Sequence, residues 1–302
     1  MKDDVAEYYN RNTPSFLRFG RGSRRSGAIH RALWGPGVTS HAAAMDFVHE
    51  RIIAAFRENV LMERVPPEPG VPDTEPPHPG TLRLADLGCG VGASMERISR
   101  ALDATVSGVT LSSVQQALAA ERLRSTPHRC RVLTGDFTDP GVLTRLTTEG
   151  LLHGIWMIEA YNHAVDGDAL LAGIAFVLRP GGILAICDDF PDERLVTGPL
   201  TLQEERRRRE FMRGWHVHTF WSPPMLRERA ERHGLELVGS EDYSDYVAVD
   251  RPRDIAVRAI AGPARLLNFT GSWWDNIRGG NALQQLSKSG LIRYGMDLFR
   301  RR

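Results

Sequence analysis

From residue 82 onward, short apolar runs alternate with longer stretches in which apolar residues recur every three or four positions. The runs Leu82–Leu87, Ala104–Val109, Arg131–Thr134, Gly154–Glu159 and Gly182–Asp188 read as buried strands. A further strand is expected near Leu235–Ser240, and the closing "LIRYGMDLFRR" reads as a last one. Strands that alternate with helical stretches predict an α/β fold with a mostly parallel, doubly wound sheet. Upstream, Ser40 is placed to cap a helix in which Met45, Val48, Ile52, Ala55 and Phe56 recur at helical spacing. Residues 4–19 read as a short helix rich in aromatics (Tyr8, Tyr9, Phe16, Phe19), followed by the loop "GRGSRRSG". Residues 65–80 hold seven prolines, which exclude helix and central strand and predict a linker. The expected organisation is an amino-terminal helical cap over 1–64, that linker, and a main domain over 81–302. The main domain would carry helical insertions at about 196–232 and 251–290. The first of these is charged and carries Phe211, Trp215, Phe220 and Trp221.

Composition narrows the function classes. At 302 residues and 42% hydrophobic, the chain can bury a full α/β core with a smaller cap. A formal net charge of +1 gives no nucleic-acid footprint. Lysine occurs only at Lys2 and Lys288, so arginine carries nearly all the basic charge. Cys89, Cys130 and Cys187 are scattered, match no metal-ligand spacing and fit a reducing compartment. No apolar run is long enough to span a membrane and "MKDDVAEYYN" is no signal peptide, so a cytoplasmic location is expected.

The first chemical motif is "LADLGCGVGASMERI". A strand runs into Asp86, then Gly88, Gly90 and Gly92, and a helix opens at Ala93. Glycines there let the backbone turn tightly and let a ligand approach a helix N-terminus. Read alone, Gly88-x-Gly90-x-x-Ala93 also fits a dinucleotide fingerprint. Asp86 argues otherwise, because a carboxylate there repels a pyrophosphate and pairs with an ammonium. The acidic residue that would follow the second strand to hold an NAD ribose is missing as well. S-adenosylmethionine has an ammonium and no phosphate, and suits the arrangement better than NAD.

The second motif is "GIWMIEAYNHAV". Ile155, Trp156, Met157 and Ile158 read as buried strand, yet the run ends in Glu159, Tyr161, Asn162 and His163. Burying a carboxylate without a partner is costly, so Glu159 is either paired or used. A third motif, "DDFPD", offers Asp188, Asp189 and Asp192 in the spacing by which isoprenoid enzymes hold magnesium and diphosphate. That arrangement needs a helix to put the carboxylates on one face. Here the motif follows a strand and contains Pro191, so a turn is expected and no metal site.

"ADLGCGVG", "GVTLSSVQ", "GDFTD", "IEAYNHA" and "LRPGG" stand in the order and spacing of class I S-adenosylmethionine-dependent methyltransferases, and the chain resembles that family. The "GVTLSSVQ" form resembles the branch holding cyclopropane-fatty-acid synthases, sterol C-methyltransferases and bacterial terpenoid C-methyltransferases. The likeness is strong over 82–190 and weaker at "YYNRNT" and "YGMDLFRR". It implies a Rossmann-like seven-stranded sheet with an added helical cap and amino-terminal helices. It also implies that Asp86, Gly88 and Gly90 hold the methionine part of the cofactor. Thr110 and Leu111 would meet the ribose and adenine edge, and Gln115 would take over ribose binding. Asp136 would accept from the adenine amine, Phe137 would pack on the ring, and Tyr8 or Tyr9 would close over the cofactor. Gly181 and Gly182 are expected to form only a turn.

The strand-end residues then follow from the acceptor. An oxygen or nitrogen acceptor needs alignment and a base. Methylation of a carbon–carbon double bond makes a carbocation, which a carboxylate and aromatic faces stabilise. Glu159, Tyr161 and His163 are the expected catalytic residues, with Trp34, Trp215, His218 and Trp221 in the substrate pocket. The expected activity is C-methylation of a prenylated or terpenoid small molecule in bacterial specialised metabolism, with cyclisation as a further outcome. The alternatives are an O- or N-methyltransferase of an aromatic natural product, or a protein that binds cofactor without turnover. The aromatic amino-terminal segment is expected to dock over the cofactor or onto a second copy of the chain.

Overall fold

In the computed structural model, residues 28–61, 82–125, 129–249 and 272–302 are described, together with Glu7, Tyr9, Asn10, Arg11 and Thr13. The apolar runs form one seven-stranded sheet: β1 (Arg83–Leu87), β2 (Thr105–Thr110), β3 (Cys130–Thr134), β4 (Leu152–Ile158), β5 (Leu178–Pro191), β6 (Leu235–Asp242) and β7 (Ile292–Arg301). Their order is β3-β2-β1-β4-β5-β7-β6. The first five strands are parallel, and β7 runs antiparallel between β5 and β6. The doubly wound reading is therefore right, with the order reversing between β1 and β4, where such sheets open a ligand crevice.

Helices cover both faces, as strands buried on two sides require. On one face lie α1 (His41–Phe56) and α2 (Ala93–Leu102), which bury Val48, Ile52, Phe56, Met95 and Ile98 with Leu84, Trp156, Ala185 and Tyr294. Ser40 caps α1 as expected, its hydroxyl accepting from the Ala43 amide. The other face is covered by α4 (Gly167–Val177) and α6 (Pro223–Arg232), which pack Leu170, Ile174, Leu226 and Ala230 on Ile155, Met157 and Ile186. Between β2 and β3, α3 (Ser113–Arg122) opens on the Ser112 cap. A separate apolar cluster joins α5 (Leu202–Gly214) to α7 (Ser272–Lys288) through Phe211, Ala282, Leu283 and Leu286.

Three expectations change. The insertion expected at about 196–232 is not all cap, because its α6 packs on the main sheet. The fifth strand is longer than Gly182–Asp188, since it runs on to Pro191 against β7. The "DDFPD" motif is therefore not a turn through its first four residues. The expected turn at Gly181 and Gly182 survives as an excursion within β5: pairing with β4 jumps from Leu178 to Ile183, and Gly181 has φ of +75°. The linker 65–80, the residues 251–271 of the second insertion and Tyr8 lie outside the described residues. Among those described, no helix is long and apolar enough to cross a membrane.

Candidate active site

The turn after β1 builds the first part of the site. Gly88 and Cys89 both donate their amides to the Val109 carbonyl, at 2.9 and 3.0 Å, folding the loop over the end of β2. Gly88 has φ of +91°, and a Cβ there would lie 2.4 Å from the Ala160 side chain, so glycine is required twice over. The loop closes a cleft lined by Ala28, His30, Asp86, Gly88, Ser94 and Ile158 among others. Asp86 is 2% exposed, and its Oδ2 has no hydrogen-bond partner among the described residues. Burial pushes its carboxyl up to about 8, with the Trp156 indole a smaller opposing influence. Such a carboxyl calls for a cation from outside the chain.

The adjoining β2 end is equally organised. Thr110 Oγ1 donates to Gln115 Oε1 at 2.7 Å, and both side chains are buried. The Gln115 backbone amide donates to the Ser112 cap, whose own hydroxyl donates to Asn10 Oδ1 at 2.6 Å. The amino-terminal segment thus docks at the end of β2, beside half-buried Leu111. After β3, Asp136 accepts from the Thr138 amide and hydroxyl at 2.8 and 2.7 Å, and Phe137 is buried close to Gly88.

Glu159 holds the second part. Strand alternation would send its side chain to the face of Ile155 and Met157, away from the α1 side. Instead Glu159 has φ of +50°, one of three non-glycine residues among those described with positive φ. The left-handed turn carries the carboxylate across to Arg31 and Tyr294. The Arg31 amide donates to Oε1 at 2.8 Å and the Tyr294 hydroxyl donates to the same oxygen at 2.9 Å. Strain of this kind costs roughly 1–3 kcal/mol and persists only where the surroundings impose it. Arg31 is itself buried, forms a two-pronged ion pair with Asp189 and lies 4.8 Å over the Tyr294 ring. Burial opposes its charge, but Asp189 and then Glu159 outweigh that, so the guanidinium stays charged.

The remaining predicted residues disperse. His163 stands on a helical turn after β4, between the Tyr9 hydroxyl at Nε2 (2.8 Å) and the His216 carbonyl at Nδ1 (3.2 Å). A carbonyl only accepts, so Nδ1 carries the hydrogen, Nε2 accepts from Tyr9, and burial lowers the imidazole to about 4. Tyr161 does not face this crevice. Its ring is fully buried on the opposite core face, with Ile155 and Met157, and lies 6.2 Å from Trp221. Trp221 packs there and under Arg229, and Trp215 packs against the α5–α7 cluster. Trp34 lies 39% exposed, edge-on to His41. Of the four pocket residues, His218 lines a large cavity, a basin of about 1000 Å³ beside His216, Arg206, Arg209, Arg213 and Arg278.

The three aspartates are also separated. Asp188 faces the α4 side, accepting from Asn162 Nδ2 at 2.9 Å, and burial with the Asp189 charge pushes it up to about 8. Asp189 faces the other side and holds Arg31, while Asp192 caps the helical turn Glu193–Thr197. Sequence reasoning missed Arg31, His30 and Tyr294. Only "YGMDLFRR" hinted at the last, as a strand.

Comparison with known proteins supplies the family. Residues 84–182 match the model of a methyltransferase domain family. These residues are a methyltransferase domain. The match begins in β1 and ends inside β5, so it spans the glycine turn, Gln115 and Glu159. The chain is similar to methyltransferase GfsG of Streptomyces halstedii, 33% identical over 170 residues, 54% of this chain and 56% of that protein. It is also similar to the 2-methyl-6-phytyl-1,4-hydroquinone methyltransferase of a Synechocystis strain, 31% identical over 164 residues, 54% of this chain and 48% of that one. The chain thus spans about half the length of the curated relatives it matches. In fold it is similar to the cyclopropane synthase MmaA2 of Mycobacterium tuberculosis, with TM-score 0.66, 17% identity and coverage of 92% and 91% of the two chains. The geranyl diphosphate C-methyltransferase of Streptomyces coelicolor gives TM-score 0.62 at 17% identity, covering 100% and 97%. The methyltransferase domain therefore sits in a class I methyltransferase fold, with β7 in its antiparallel place.

Proposed function

We propose that this chain is an S-adenosylmethionine-dependent C-methyltransferase acting on a prenylated or terpenoid small molecule. The cofactor part of the reading rests on Asp86, a buried carboxyl with an unpartnered oxygen beside a glycine turn that leaves room for a ligand. An ammonium group satisfies that oxygen and a pyrophosphate does not. When bound, S-adenosylmethionine supplies an electrophilic methyl group. Thr110, Leu111, Gln115, Asp136, Phe137 and Tyr9 are the residues proposed to enclose its nucleoside end, as they stand around the ends of β1, β2 and β3.

The acceptor part rests on Glu159. The chain spends backbone strain to present this carboxylate, then fixes it with two donors on one oxygen. A fixed anion is what a reaction that develops positive charge on the acceptor uses, since it stabilises the charge without reorganising. It also receives the proton that a methylated carbocation loses on forming a double bond. His163, with Nε2 accepting from Tyr9, offers no positive charge to oppose that cation. Tyr161 is left out of the proposed machinery because of its burial in the core.

The test uses purified protein with methyl-labelled cofactor and a panel of prenyl diphosphates, prenylated indoles and phenolic natural products. Label is expected on carbon in a prenyl substrate. Transfer only to phenolic oxygen would support heteroatom methylation instead, and tight binding of NAD in place of S-adenosylmethionine would overturn the cofactor assignment.

A further inference from the structure

Asp189 stands near the end of β5, directly opposite Tyr294 of β7 in the antiparallel register. Directly opposed residues put their side chains on the same face of a sheet, so the carboxylate and the phenol ring rise side by side. Arg31 lies across both of them. Its guanidinium is 4.8 Å from the centre of the Tyr294 ring, Nη1 donates to Asp189 Oδ1 at 2.6 Å, and Nη2 donates to Oδ2. The chain just beyond Arg31 is pinned. The Leu33 amide donates to the Ala44 carbonyl at 2.8 Å and the Trp34 amide to the Tyr246 carbonyl at 2.7 Å.

One guanidinium and two carboxylates, those of Asp189 and Glu159, thus share a buried corner. The cation can be fully paired with only one of them, and the distances say which. Both prongs of the Arg31 fork are on Asp189. Its Nε stands 4.0 Å from Glu159 Oε1 and has no hydrogen-bond partner among the described residues. Glu159 therefore takes from Arg31 only the backbone amide, at 2.8 Å. The two-pronged pair is the stronger geometry for a guanidinium and a carboxylate, so Asp189 holds the fork against its competitor. After Asp189, Glu159 is the carboxylate that acts most on Arg31. A buried guanidinium that lost Asp189 would be left without its counter-ion, which is costly, and a small turn of its side chain would bring the fork onto Glu159. The Glu159 carboxylate would then be tied up in an ion pair inside the protein.

We propose that Asp189 is a positioning residue for methyl transfer: by holding the Arg31 fork it keeps that guanidinium from closing on Glu159, and so reserves the Glu159 carboxylate for the acceptor. Asp189 acts through Arg31 and touches neither acceptor nor cofactor. This gives the second aspartate of the Asp188–Asp192 motif a role that needs no metal. The inference rests on the part given to Glu159 above.

The test has a structural and a kinetic arm, both on the full chain, with thermal melting to check folding. In a crystal structure of Asp189→Asn the Arg31 guanidinium should lie within hydrogen-bond distance of Glu159. With methyl-labelled cofactor and the prenyl substrate that the wild type methylates fastest, kcat of this variant should fall about tenfold or more, short of the Glu159→Gln loss. Cofactor affinity and acceptor KM should stay within about twofold, because only the reacting charge is disturbed. Adding Arg31→Met removes the competing cation and keeps the backbone amide on Glu159, so the double variant should return to within about threefold of the wild-type kcat, whereas a merely structural Asp189 makes it no faster than the single variant. A guanidinium that stays clear of Glu159 in Asp189→Asn, or a double variant without recovery, overturns the proposal. Should Asp189→Asn fail to fold, the double variant, which leaves neither charge of the pair buried alone, decides: kcat near the wild type supports the proposal and kcat as low as that of Glu159→Gln overturns it. Wild-type turnover in Glu159→Gln would instead overturn the part given to Glu159 itself, which separates the two failures.

Discussion

Glu159 and Asp86 are both carboxylates at strand ends, yet the chain treats them oppositely. Glu159 is supplied with two donors and a nearby guanidinium, while Asp86 is left with an oxygen that nothing among the described residues satisfies. One is held by partners within the chain, and the other is left open for a ligand. Glu159→Gln keeps the shape and one acceptor oxygen, so cofactor binding should be nearly unchanged while kcat falls by roughly a hundred- to a thousandfold. Steady-state kinetics with a binding isotherm checks this, and wild-type turnover with an unaltered product would make Glu159 structural. For Asp86 the sign runs through its raised pKa. The folded protein keeps this proton up to about pH 8, whereas an unfolded chain loses it near the ordinary carboxylate value. The folded state thus binds more protons over that window, and Asp86 lowers stability progressively as pH rises from about 4 to about 8. A bound ammonium reverses the preference and expels the proton. Cofactor binding at pH 7 should then release close to one proton, read as a dependence of the calorimetric heat on the buffer's ionisation enthalpy. In Asp86→Asn that dependence should vanish with most of the affinity.

At the scale of the elements, the parts legible in the sequence were those whose logic is local. The turn Gly88 to Gly92, the cap Ser40 and the strand–helix alternation each declare themselves within a dozen residues. What surrounds Glu159 does not, because its donors Arg31 and Tyr294 lie 128 and 135 positions away. Tyr161 was misread because a place at a strand end does not say which side of the sheet a side chain takes, and its ring lies with Ile155 and Met157 on the face away from Glu159's donors. The aspartates of "DDFPD" show periodicity at work instead. Because β5 continues through them, Asp188 and Asp189 fall on opposite faces, each with its own partner, and Asp192 is spent on a cap. A chelator should accordingly leave turnover unchanged on any substrate that carries no diphosphate. Loss of activity on such a substrate, restored by added magnesium, would contradict this account of the three carboxylates.

Across the whole molecule, distant parts of the chain meet at the same crevice. Tyr9 reaches His163 and Asn10 reaches Ser112, so these two amino-terminal residues stand at the strand ends beside the crevice. Deleting residues 1–20 should therefore weaken cofactor binding and lower turnover while the melting temperature of the remainder changes little. Unchanged binding and rate in the truncated protein would show that these contacts are incidental. Light scattering on the same pair tests whether the segment also joins two copies of the chain. The place of β7 has a consequence for biosynthesis. During translation the five parallel strands can assemble as they emerge, but β6 has no neighbour until Ile292–Arg301 has been made, because it pairs only with β7. Until then the nascent chain exposes two unpaired strand edges, on β5 and β6, of the kind that chaperones cover. Tyr294 arrives with that same strand. The carboxylate of Glu159 therefore gains its second donor only once β7 has been made, and a product stalled or clipped before that strand would have its glycine turn in place with the Glu159 carboxylate unsecured.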